Sequence, residues 1–263
     1  MVAVDHHLTI PGIFLHRTVS MPSAGDEGVD VEAAFVAYCA EARVIDAIKV
    51  GSMLLHLEQL DLEALQRLLV EQPRRRGVLE ARWVLEHSEG RCRSLPEAEL
   101  LTLVRFSGLP EPDVNPELRT DDGTLVIPDL WWAPWRQAVE YEGGHHREDR
   151  SQYIADIDRY LIFRRIQAAY LQITKERLRR PRVAIRLVFR ALAEAGYEGP
   201  EPEFGELWGS LFRPLRDVVR PAAADPAVRR PHSSAGNVAD APLWACGRVG
   251  VGAGGAAGGR APE

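Results

Sequence analysis

With 263 residues, 46% of them apolar, the chain is long enough for one good-sized domain or two small ones. A formal net charge of −6 does not by itself advertise a nucleic-acid binder, so any such function must rest on local charge. No apolar run reaches the length a bilayer demands, and the start MVAVDHHLTI lacks the basic flank and cleavage site of a secretory signal. The widely spaced Cys39, Cys92 and Cys246 predict a reduced, cytoplasmic chain with neither a disulfide framework nor zinc-ligand spacing.

Residues 1–28 are turn-rich with short apolar runs, and predict an irregular segment. Residues 29–89 turn helical. Asp61 is placed to cap DLEALQRLLVEQ, whose Leu62, Leu65, Leu68 and Leu69 share a face, and Pro73 ends that helix before GVLEARWVLEH restarts the period. Residues 90–199 change character. LPEAELLTLVRFSG predicts a helix capped by Ser94 and stopped at Gly108. Val114 to Arg119 and Leu125 to Trp131 predict strands around the turn Asp121-Asp122-Gly123, and Gln137 to Glu142 a third strand beyond the Ala133-Pro134-Trp135 corner. A long helix from Arg150 to Ala168, a strand Ala169 to Thr174 and a helix from Pro181 to Ala195 complete a sheet domain of α/β or α+β class, preceded by the helical region. Residues 200–263 are expected to be a linker and a disordered tail rich in proline, alanine and glycine.

Within Gln137 to Glu142, alternation sends Glu140 and Glu142 to one face and Val139 and Tyr141 to the other. If the preceding strand pairs back around the corner, Asp129 stands near Glu140 on that face. Converging carboxylates repel one another unless a cation lies between them, and hard cations prefer oxygen ligands. The alternative is a half-exposed hairpin with solvated acids.

The ordered motifs resemble the PD-(D/E)XK restriction-endonuclease-like superfamily, in a branch of small actinobacterial domains related to very-short-patch-repair endonucleases. They are the Ser94–Glu97 helix start, the Gly108 to Pro112 stretch before Asn115, Asp129, Glu140-Tyr141-Glu142-Gly143 with the paired His145 and His146, and Asp149-Arg150 with Asp156 and Arg159. The resemblance covers roughly residues 90–180 and implies a mixed sheet flanked by helices. It further implies Asp129 and Glu140 as a metal pair for Mg2+ or Mn2+, with Glu142 where the superfamily usually has lysine and Glu97 reaching the same site. His145 and His146 would position water or a phosphate oxygen. Trp131, Trp132 and Trp135 more often pack against a sheet than stack on bases.

Arg147, Arg150, Arg159, Arg164, Arg165, Lys175 and the arginines from 177 to 190 crowd into the second half of the domain, a local charge suited to a phosphate backbone. Arg147, Arg150, Arg159 and Lys175 are the expected contacts. The function implied is a metal-dependent DNA endonuclease, with a non-catalytic nucleic-acid-binding or antitoxin-like regulatory module as the alternative.

Overall fold

In a computed structural model, residues 24–25, 28–143 and 159–219 are described, and all of them fall in one compact unit, 1–222. A second unit, 223–263, lies outside the described residues. The fold is α+β. A short ribbon, β1 (Ala24–Gly25) and β2 (Gly28–Val29), precedes four helices: α1 (Val31–Cys39), α2 (Val44–His56), α3 (Leu62–Glu71) and α4 (Val78–His87). Helix α5 (Leu95–Phe106) leads into a four-stranded sheet.

Helix α3 shows how local chemistry sets these boundaries. Asp61 Oδ1 accepts the amides of Glu63 and Ala64 at 2.9 and 3.0 Å, satisfying donors the first turn cannot pair, while Leu65 and Leu69 are buried. Asp61→Ala is expected to lower unfolding free energy by about 1 kcal/mol in urea titration.

The sheet is built from β3 (Asp113–Val114), β6 (Leu130–Trp132), β7 (Gln137–Glu142) and β8 (Ala169–Thr174), in that spatial order; a separate ribbon pairs β4 (Leu118–Arg119) with β5 (Leu125–Val126). The first two pairings in the sheet are antiparallel, and β8 joins β7 in parallel, Glu140 beside Gln172 and Glu142 beside Thr174. The two strands expected from Val114 to Arg119 and from Leu125 to Trp131 are each divided. Asn115 turns into the left-handed region at φ 48°, with Pro116 following it, and Pro128 lacks a ladder donor between β5 and β6. Of the long helix expected from Arg150 to Ala168, residues 159–165 form α6, which ends short of Ala168 in a turn with Gln167 at φ 51°; residues 150–158 lie outside the described residues. Two helices, α7 (Lys175–Leu178) and α8 (Pro181–Glu194), follow β8.

Alternation along β7 builds two apolar layers. Val139 joins Leu130, Trp132 and Ile173 against α5 and α8, whereas Ala138 faces Trp131 and Phe163 of α6. Trp131 and Trp132 are buried, and the Trp132 indole donates to the Pro110 carbonyl at 2.7 Å, so both pack rather than present a stacking surface.

The larger layer runs on without a seam into the helical region: Phe35, Ile48 and Leu65 belong to the same cluster as Leu100 and Ile185. Residues 29–89 and 90–199 therefore share a core across the boundary expected near residue 90. The expected linker is also corrected at its start. Residues 200–219 carry α9 (Glu206–Ser210) and α10 (Leu215–Val219), and Trp208 of α9, Leu211 just beyond it and Leu215 of α10 are buried in that cluster. The amides of Val44 and Ile45 donate to the carbonyls of Arg213 and Leu211, and the Leu215 amide to that of Ala42. Apolar side chains spaced along Phe204-Gly-Glu-Leu-Trp supply what the proline- and glycine-rich remainder lacks. Among the described residues no helix is long and apolar enough to cross a membrane.

Candidate functional site

The β6–β7 register pairs Leu130 with Val139 and Trp131 with Ala138, so its continuation by one residue sets Asp129 opposite Glu140 on the face of α6. Asp129 is fixed from both sides. Its Oδ2 accepts the Tyr141 amide at 2.7 Å, and its carbonyl accepts the Asn115 amide at 3.0 Å. Burial, followed by the nearby Glu97 carboxylate, pushes its carboxyl up to about 7; Glu140 adds to the rise, while the Tyr141 amide and Arg159 oppose it.

Glu97 reaches this cluster from the first turn of α5. It forms a capping box: Ser94 Oγ accepts the Glu97 amide at 3.3 Å and donates to Glu97 Oε1 at 2.8 Å. Glu97 Oε2 accepts the Arg93 amide at 2.8 Å and Asn115 Nδ2 at 3.1 Å. Asn115 Nδ2 also donates to the Arg91 carbonyl at 2.8 Å. One asparagine in the left-handed region thus ties the start of α5 to the strand that carries Asp129. Its place in the motif was visible in sequence; that its side-chain amide holds the Glu97 carboxylate while its backbone amide holds the Asp129 carbonyl was not.

Glu140 is only 7% exposed, and its charge is met inside the protein. Arg159 Nε donates to both carboxylate oxygens at 2.8 Å, while Nη2 donates to Oε1 and, at 2.7 Å, to the Ile127 carbonyl. Tyr170 of β8 donates its hydroxyl to Oε2 at 2.8 Å; burial and the Glu140 carboxylate push that hydroxyl up, keeping it a donor. Arg159, expected on a phosphate, is therefore engaged by Glu140 instead. Neither this pairing nor Tyr170 has a local sequence signal, because the partners lie 19 and 30 residues apart.

Glu142 is half-buried at the end of β7, beside Thr174, and Lys175 is exposed at the start of α7. His145, His146, Arg147 and Arg150 lie outside the described residues. Cys92 is a free, buried thiol, pushed up to about 12 by burial and then by Glu89 and Glu97, so it stays protonated and unreactive near neutral pH.

Asp129 and Glu140 offer the carboxylate oxygens a hard cation takes, and the carboxyl of Asp129 is raised first by desolvation and only then by the neighbouring acids Glu97 and Glu140. Among the described residues no three His, Cys, Asp or Glu side chains form a ready metal group.

No family model matches the chain, and no solved structure matches it. It is similar to two uncharacterized proteins of Mycobacterium tuberculosis, one from strain CDC 1551 / Oshkosh and one from strain H37Rv. Each is 26% identical over 125 residues, which is 47% of this chain and 46% of the relative. The similarity to these mycobacterial proteins thus spans about half the length of each.

Proposed function

We propose that the chain is a metal-dependent DNA endonuclease of the PD-(D/E)XK type, with Asp129 and Glu140 as the ligands of Mg2+ or Mn2+. The observation that carries this reading is the half-buried Asp129 carboxyl, raised to about 7 by desolvation and by Glu97 and Glu140 beside it. Strongly perturbed acids of this kind cluster at functional sites. The motif resemblance from Ser94 to Arg159 gives the reading its reaction class.

A magnesium or manganese ion, when bound, neutralises charge on a phosphodiester and acidifies water. The chain's own part is positional. The Tyr141 amide orients Asp129, Arg159 and Tyr170 orient Glu140, and Asn115 with Ser94 holds Glu97 against them. Glu142, His145 and His146 belong to the same proposal as supporting groups.

Nicking of supercoiled plasmid with Mg2+ or Mn2+ tests it. Wild type is expected to nick, Asp129→Ala and Glu140→Ala to fall to background; nicking that survives Asp129→Ala sinks the assignment. One observation favours a second reading, a DNA-binding module that keeps the fold without catalysis: Arg159 already supplies Glu140 with a cation from within the chain. Salt-sensitive DNA binding without nicking on any DNA form would select it.

A further inference from the structure

Between residues 175 and 190 the chain places Lys175, Arg177, Arg179, Arg180, Arg182, Arg186 and Arg190, all exposed, against the single acid Glu176. Several arginines elsewhere are matched to acids, among them Arg43 with Asp46, Arg76 with Glu41, Arg105 with Glu111 and Arg165 with Asp122. Among the described residues, none of the seven side chains from 175 to 190 has a carboxylate within salt-bridge reach. The cations are also ordered. Arg182, Arg186 and Arg190 recur every four residues and so form one stripe along α8, opposite the buried Ala184, Ile185, Val188 and Leu192. The guanidinium carbons of Arg182 and Arg186 lie over the Phe204 ring, 5.7 and 5.5 Å from its centroid, a cation–π contact that holds both heads on one side of the helix. Like charges four apart destabilise a helix unless something neutralises them.

Topology sets where this face begins. Helix α7 starts directly after Thr174, the neighbour of Glu142, at the end of the sheet that carries the acids. Helix α8 then runs back, because Tyr197 beyond its end packs edge-on against Trp135, 5.0 Å between ring centroids, and Trp135 precedes β7. From Arg182 to Arg190 the stripe is about 12 Å long, matching the axial rise of three to four phosphates on one strand of a duplex.

We propose that the exposed face of α7 and α8 docks the phosphate backbone of duplex DNA, and that it contributes affinity without a metal ion. The inference rests on the proposed action on DNA and deepens it by naming the surface. Its arginines belong to the basic run that the sequence already offers to a phosphate backbone; of the four contacts named from sequence only Lys175 lies on this face, and Arg159 takes no part.

The test uses the whole chain and a fluorescent duplex of about 20 base pairs in chelator, with anisotropy read between roughly 50 and 200 mM salt, where phosphate neutralisation dominates the salt dependence. The triple variant Arg179→Gln, Arg182→Gln, Arg190→Gln is expected to flatten the plot of log affinity against log salt by about 0.9 for each phosphate no longer neutralised, about 2.7 in all. The matching lysine triple variant, which keeps charge, is expected to restore the slope. Circular dichroism confirms that both variants fold. A wild-type slope in the glutamine variant, or no duplex binding by wild type, overturns the docking surface. Nicking that persists in Asp129→Ala, together with a flattened slope in the glutamine variant, overturns the active-site reading and leaves the docking surface standing.

Discussion

Asp129→Asn is expected to stabilise the protein at pH 8 while abolishing the proposed metal-dependent nicking. The carboxyl is raised from its ordinary value near 3.8 to about 7, chiefly by burial and by Glu97. Between those values the folded chain holds a proton that the unfolded chain has released. Folding stability from this group is therefore full below about pH 4, falls as pH rises, and is lost above about pH 7. Each pH unit in that window is worth about 1.4 kcal/mol, so the whole span amounts to a few kcal/mol on the order-of-magnitude scale. Asparagine keeps a carbonyl oxygen for the Tyr141 amide and removes the charge. Urea midpoints measured from pH 4 to pH 9 should decline more steeply for wild type than for the variant. At pH 8, manganese should raise the wild-type melting temperature and leave the variant's unchanged. A variant with the same pH profile as wild type would place the strain elsewhere.

Arg159→Met is expected to cost about 3 kcal/mol, the lower end for breaking a buried pair, since the Arg159 side chain is 39% exposed and its partner's only 10%. Most of that cost is the carboxylate left behind with Tyr170 as its remaining donor. Glu140→Gln in the same chain should accordingly recover much of the loss, and a double-mutant cycle should return a coupling above about 1 kcal/mol. Single changes that simply add would show the pair to be idle. The variant also separates the two functional readings. If Glu140 is a metal ligand, freeing it from guanidinium should tighten manganese binding in calorimetry; if Arg159 is its permanent counter-charge, no gain should follow.

The features legible in sequence were those with local causes. Strands β7 and β8 keep the bounds expected for them, β8 as a short apolar run, and α3 begins at the aspartate able to cap it. The convergence of Asp129 and Glu140 follows from alternation and a tight corner, so it too could be read ahead of the structure. What escaped depends on partners distant along the chain. Arg159 looked like a free cation because nothing near it in sequence names Glu140 as its partner. Residues 200–219 looked like linker because their few apolar side chains are too sparse for a core of their own. They are enough to complete one that the first helices leave open. The divided strands record backbone chemistry at Asn115 and Pro128 that a hydropathy pattern does not weigh.

The backbone bonds between α10's approach and the start of α2 bear on how the protein is made. Residues 42–45 leave the ribosome some 170 residues before Leu211, Arg213 and Leu215, whose backbones they bond. Until then α1 and α2 lack part of the wall their buried faces close on. Early-made helices therefore wait, with apolar surface uncovered, for the last described elements to be synthesised. Such long-range closure slows folding and exposes the nascent chain to aggregation. Chains stalled or cut before residue 211 should bind chaperones and resist solubilisation, even though the sheet and its acidic cluster are already complete in sequence.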